Sequence, residues 1–417
     1  MVNSPTDLPP MQQLAPRWLG AAPHRLLFFV GACNLLLAMI FWAGWLLLQR
    51  WQLFAPPMPA IPPGWLHAFV MQYQVLPSFM FGFLLTVFPR WMALPDLARW
   101  RYLPVGLGLL GGQLITLMGA LGSNVGFGPV ALKTGLLLTI LGWGAGLFNL
   151  APTLWQERGT TWHARSCFAA LIYGFVGLCA HAIFAFGGSA MWEFVSIKIG
   201  SFGLLLPMYF TVAHRMFPFF AGNVCKNYTP WRPLWLLTLF WLLCLLHLAL
   251  ELVHGYAWLW LPDTALLLLT AGVLSRWWPR GPKPALLSVL FISFAWLPIA
   301  FALYATQSLI YLSTGSFMLG RAPAHALFIG FFGSALIAMV TRVTQGHSGR
   351  TLTLPGTAAF AFIAIQCVAI LRIIAELMAD TKLWQAIAAI AWIIAFTPWV
   401  LRLARIYLAP RIDGKPG

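Results

Sequence analysis

His247, Glu251 and His254 stand at i, i+4 and i+7 in an apolar stretch. On a helix they share one face, and imidazole with carboxylate is a ligand set for copper, zinc or iron. The same three are also readable as interfacial polar residues near water. His67 and His325 are a second pair, each opening a long apolar stretch, in "HAF" and "HAL". A haem b needs only two such nitrogens and an apolar slot, without covalent attachment. Arg372 and Glu376 lie one helical turn apart and are set to neutralise each other. The other reading of Arg372 is a clamp for an anion or a haem propionate. His181, Glu193 and Lys198 add further ionisable groups, as do His24, His163, His214 and His347.

The elements that must position these groups are membrane helices. Of 417 residues, 60% are hydrophobic and 8% charged, against about 25% charged in a soluble domain. A bilayer-spanning helix needs about 20 mostly apolar residues. Twelve such stretches are predicted: 26–48, 65–88, 102–122, 129–152, 164–186, 191–213, 232–252, 255–274, 284–305, 320–341, 354–378 and 384–408. The expected fold is all-α and polytopic, organised as a segment 1–25, a membrane domain 26–408 and a tail 409–417. An ionisable side chain inside such a span is costly, and is a functional hypothesis by default.

Charge sets the orientation. If the N-terminus is cytoplasmic, all 25 Lys and Arg fall on the inner side except Arg50, Lys133, Lys198, Arg321, Arg372 and Lys382. This is the positive-inside bias. It predicts a bacterial inner-membrane protein with both termini cytoplasmic, whose partner is the lipid bilayer. The net charge of +16 therefore needs no nucleic acid to explain it. His67, His181, Glu193, Lys198, His247, Glu251, His254, His325, Arg372 and Glu376 then lie toward the outer face, and His24, His163, His214 and His347 toward the inner.

The six cysteines form no CxxC pair and no CxxCH attachment site, so they read as buried structural thiols. No Walker A, GxSxG or HExxH motif is present, which disfavours ATP-driven transport. Many of the 22 Trp sit at span ends, such as Trp18, Trp51, Trp65, Trp91, Trp100 and Trp162, as an interfacial belt does. One regularity runs along the chain: Thr86…Arg90, Thr211…Arg215 and Thr341-Arg342 close spans 2, 6 and 10. Three four-helix units would produce it, as would the expected placement of arginine at inner helix ends.

The stretch "HALFIGFFGSALIAMVTRVTQGHSGR", His325 to Arg350, resembles the signature of the NnrS family. "GFLLTVFPRW" at Gly82–Trp91 is similar to that family's span-2 ending. "HRMFPFF" resembles its Arg-x-x-Pro-Phe-Phe element after span 6, carried here by Arg215, Pro218, Phe219 and Phe220. The resemblance implies an inner-membrane protein of the nitric oxide response that contains haem and copper and acts on nitric oxide or a related small molecule. His67 and His325 carry over as ligand candidates, and Arg215, Arg342 and His347 as motif residues without an assigned role. The family's span 2 usually opens Trp-His-x-His-Glu-Met. This chain reads Leu66-His67-Ala68-Phe69-Val70-Met71, so Phe69 and Val70 replace the second His and the Glu.

The inner end of span 10 has two readings. Arg342 and His347-Ser348 bind at the headgroup level or cap a neighbouring helix, or Gly346–Gly349 is a tight turn with Arg342 fixing orientation. Two other functions compete with a haem protein. A permease for a small metabolite or metal complex would show broken helices with polar residues at mid-membrane, for which Pro77-Ser78 and Pro207 are the cues. An assembly factor for a respiratory complex would carry no cofactor of its own. Whether the chain is an enzyme is left open by its residues.

Overall fold

The structure is a computed structural model describing residue 9 and residues 13–52, 59–156 and 161–414. Parts of the expected segment 1–25, of the proline-rich break near 49–64 and of the tail 409–417 lie outside the described residues. Among the described residues helices are the only regular structure, and twelve are long and apolar enough to cross a membrane. They are α1 (Pro23–Trp51), α2 (Pro63–Trp91), α3 (Arg99–Leu121), α4 (Gly128–Trp155), α5 (Trp162–Ala185), α6 (Ala190–Val224), α7 (Leu234–Leu252), α8 (Tyr256–Trp277), α9 (Ala285–Thr314), α10 (Ala322–His347), α11 (Gly356–Ala375) and α12 (Thr381–Tyr407). Proline opens α1 and α2, where its missing N–H costs nothing.

Two ends differ from expectation. α6 continues to Val224, so the Arg-x-x-Pro-Phe-Phe element is helical rather than a loop after the span. α10 continues through Gly346 to His347, and the turn is confined to Ser348-Gly349, with Gly349 at φ +76°. Only glycine reaches that conformation without strain.

Three helices are interrupted by π-helical segments: Val70–Val75 in α2, Ile199–Leu205 in α6 and Ala326–Gly333 in α10. These are the second helices of three successive groups of four, the same spans that carry the Thr and Arg regularity. They are also the most enclosed, with 89%, 72% and 72% of their apolar stretches buried. In α2 and α6 a proline follows at once, Pro77 and Pro207. Pro77 has no N–H for the carbonyl four residues back, and that oxygen, Tyr73 O, accepts the Trp143 indole N–H at 2.8 Å. A carbonyl that lipid could not satisfy is thus paired across helices.

The chain gathers into two compact units. The first takes the residues up to Gly200 with Val343–Thr351 and the residues from Phe396 onward; the second takes Ser201–Arg342 and Leu352–Ala395. In the first, α3 and α4 pack as a tight hairpin along small residues. A Cβ on Gly108 would lie 2.8 Å from Gly142 N, so the backbones touch, as small-residue seams between membrane helices permit. α1 meets α2 in the same manner, Gly31 against Phe79 and Gly82 against Phe28. In the second unit Phe210 stacks on Phe240 at 3.8 Å, with Trp277 and Phe294 beside them. Gly330 of the α10 π segment lies against the Trp296 ring of α9.

Gly108→Leu should force α3 and α4 apart and cost about 1–3 kcal/mol or more. Gly144→Leu, whose Cβ would meet nothing within 4 Å, should be near neutral. Thermal melting of the detergent-purified variants checks the contrast.

Candidate functional site

The second unit holds the ionisable cluster predicted on α7, with a member that spacing did not reveal. His247 and Glu251 share a face of α7, their Nε2 and Oε1 atoms 3.6 Å apart. Asp263 of α8 approaches His247 Nδ1 at 2.6 Å. All three side chains are buried. Phe202, inside the α6 π segment, stacks on the imidazole at 3.6 Å and 15°, and Tyr304 of α9 meets it edge-on at 5.5 Å. The Asp263 contact leaves Nε2 as the nitrogen facing Glu251. A carboxylate on one ring nitrogen is the support that metal-binding histidines use, and it equally stabilises a protonated imidazole.

His254 does not share this face. α7 ends at Leu252. Gly255 N–H donates to Leu250 O at 2.7 Å, and His254 takes φ +57°. This backbone wrap is a helix C-cap, and it rotates His254 to the surface, where its Nδ1 meets the Tyr256 hydroxyl at 2.7 Å. The expectation of three groups at i, i+4 and i+7 on one helix holds for two of them, because the helix stops before the third.

A second network in this unit joins two further candidates. Arg372 pairs with Glu376 Oε1 at 2.5 Å, the ion pair expected from their spacing. Glu376 Oε2 also accepts the Arg321 backbone N–H at 3.2 Å. The Arg321 carbonyl in turn accepts the His325 Nδ1–H at 2.9 Å. Gly320, at φ +51°, lets the chain turn into this arrangement. His325 is therefore held as the tautomer that presents Nε2, two hydrogen bonds from the Glu376 carboxylate that anchors Arg372.

In the first unit, half-buried His67 stacks on Trp42 at 4.5 Å and 12°. His67 and His325 belong to different units. Phe69 is fully enclosed and stacks on His181 at 3.7 Å and 9°. His181 Nδ1 meets Glu193 Oε2 at 2.5 Å. Sequence spacing did not pair these two, since they lie on consecutive helices. Both units thus contain a buried imidazole with a carboxylate on Nδ1 and a phenyl ring on its face.

The motif residues find partners at the other helix ends. The Arg342 guanidinium lies 3.7 Å from the centroid of the Phe220 ring, joining the span-10 motif to the Arg-x-x-Pro-Phe-Phe element by a cation–π contact. The Arg215 carbonyl accepts from Arg232 Nη1 at 3.3 Å. His347 receives Arg90 Nη1 on Nδ1 at 3.4 Å, and its ring lies 4.5 Å from that of His24. His24 is buried against Thr86, whose Oγ1 accepts its backbone N–H at 3.1 Å. His214 Nε2 donates to Pro233 O at 3.1 Å. Arg342 and His347 therefore pack against helix ends within the protein.

Among the described residues no group of three or more His, Cys, Asp and Glu is arranged to hold a metal ion. In the His247 cluster Nδ1 is taken by Asp263 at 2.6 Å, and Nε2 lies 3.6 Å from Glu251 Oε1.

Asp263→Leu should leave His247 beside Glu251 without its principal partner and cost about 3–5 kcal/mol. His247→Leu in the same background should recover part of that loss. Unfolding of single and double variants in detergent checks the coupling.

No curated protein matches the chain. The family described as NnrS protein matches residues 19–411, which takes in all twelve membrane helices and every residue discussed above. The chain belongs to the NnrS family.

Proposed function

We propose that this protein acts in the response to nitric oxide and nitrosative stress as a haem b-binding protein of the bacterial inner membrane. Family membership supports the setting. The observation that carries the haem reading is the His325 network, in which Nδ1–H is fixed on the Arg321 carbonyl at 2.9 Å. A ligating imidazole is prepared in this way, its tautomer set by a backbone carbonyl so that Nε2 is the donor. Arg372, anchored through Glu376, supplies a cation on the same network for a propionate. In the first unit His67, held face to face with Trp42, is a separate ligand candidate. Imidazole nitrogens and an arginine are the donor types that hold a haem b and its propionates. Bound haem would supply an iron centre able to bind nitric oxide and change redox state.

Copper is the second metal of the proposal. Its protein donors would be His247 Nε2 and Glu251, with Asp263 supporting the imidazole. They number two, and His254 lies away from them, so a copper centre made of three protein ligands does not fit the described residues. The orientation proposed, with both termini cytoplasmic, rests on the distribution of lysine and arginine.

A second reading is favoured by one observation. The π segments of α2, α6 and α10, two followed by proline, interrupt helices as transporter helices are interrupted around a substrate. A permease for a small metabolite or metal complex would use them.

Purified, reduced protein should show b-type Soret and α bands, and His325→Ala or His67→Ala should abolish or shift them. A colourless, iron-free preparation that still moves a solute across liposomes would replace the haem reading with the transport one. Metal analysis of the same sample, with and without His247→Ala, decides the copper assignment.

A further inference from the structure

The first unit contains a buried acid–base pair that neither reading of function uses. His181 lies on α5 and Glu193 on α6, with 1% and 0% of their surfaces exposed. Their Nδ1 and Oε2 atoms are 2.5 Å apart. Phe69 covers the imidazole face at 3.7 Å, which keeps Nδ1 aimed at the carboxylate.

Two further atoms at this place point to a small polar ligand. Glu193 Oε1 and Ser196 Oγ are buried and have no hydrogen-bond partner among the protein groups. They are three residues apart on one helix, hence on one face. Buried polar atoms are almost always satisfied, by protein or by ordered water, and a polar site of this kind is where internal water resides. Beside them the Tyr73 hydroxyl, 0% exposed, donates to the Ser196 carbonyl at 2.6 Å. Gly177 leaves space for the hydroxyl, since a Cβ there would collide with it, and a Cβ on Gly200 would collide with Gln72 Oε1.

Charge gives the pair its chemistry. A neutral imidazole beside a carboxylate carries one net negative charge, which burial makes costly. One added proton, shared by the two groups, brings the pair to zero. Titratable and charged groups on the helices that carry or pack against the pair include Tyr73 and His67 of α2, Tyr173 and Cys179 of α5, Lys198 of α6 and Lys133 of α4. The two ammonium groups sit over the rings of Phe194 and Phe186 at 5.4 and 5.2 Å.

We propose that His181 and Glu193 form a proton-binding site inside the membrane unit, exchanging its proton with internal water held by Glu193 Oε1 and Ser196 Oγ. In the uptake step a hydronium gives one proton to the pair and leaves as water. The pair passes from one negative charge to none, and release reverses both changes. The proposal stands apart from haem binding and would serve reductive chemistry or coupled transport alike.

Infrared spectroscopy of the full-length protein in lipid vesicles, with bulk pH stepped and H2O exchanged for D2O, tests it. A carboxyl or carboxylate band lost in Glu193→Gln should respond to the pH step, shift in His181→Gln and exchange with D2O despite complete burial. Ser196→Ala, which keeps the helix and removes the hydroxyl, should slow that exchange several-fold. Should Glu193→Gln unfold the unit, Glu193→Asp provides the alternative assignment by displacing the band. A Glu193 band unmoved by pH would overturn the proposal. Exchange at the wild-type rate in Ser196→Ala would overturn the water route through Ser196.

Discussion

Lipid offers no hydrogen bonds, and in a chain of membrane helices this governs where every polar atom goes. Threonines inside the helices turn back on their own backbone. Thr86, Thr116, Thr139, Thr211 and Thr270 donate to the carbonyl four residues earlier at 2.6–2.8 Å. Gln74 joins Thr116 and Thr139 at 3.1 and 2.9 Å, and Gln366 joins Trp296 to Ser334. The carbonyl freed by Pro77 is taken by Trp143. Side-chain charge obeys the same rule at higher stakes, which is why His181 and His247 carry carboxylates and Arg372 carries Glu376.

The π segments connect this constraint to the candidate sites. An inserted residue shifts the register of the side chains around it, and such bulges gather at functional places in helices. In the first unit the segment at Val70–Val75 is preceded by Phe69, which covers His181. In the second unit Phe202 lies within the segment at Ile199–Leu205 and covers His247. The third segment, in α10, follows His325 and brings Gly330 against Trp296. Each segment thus lies in the sequence beside a candidate ligand or supports one through a ring. The four-helix period seen as Thr and Arg at three helix ends is carried in the structure by these segments, while packing gathers the chain into two units.

The resemblance to the family implies a second histidine and a glutamate in span 2, where this chain has Phe69 and Val70. Phe69 is not a bare loss of a ligand. Its ring fills the face of a histidine on another helix, and that histidine carries a glutamate. The first unit still contains an imidazole and a carboxylate in contact, supplied by α5 and α6.

From its residues alone the chain was legible as a twelve-span, all-helical membrane protein, because length and hydropathy suffice to mark spans. Spacing within one helix was legible too: Arg372 pairs with Glu376, and His247 faces Glu251, as residues one turn apart must. What spacing could not reach was contact between helices. Asp263 on His247, Glu193 on His181, Glu376 on the Arg321 backbone, and Phe220 under Arg342 all join residues whose separation in sequence carries no geometric information. Helix ends were beyond it as well. His254 left the face of α7 because the chain took a left-handed turn there, and the Arg-x-x-Pro-Phe-Phe element stayed helical because Pro218 is tolerated within a helix whose neighbours pack around it. Local periodicity determined the spans and the pairs within them; the pairs between spans arose only when the helices met.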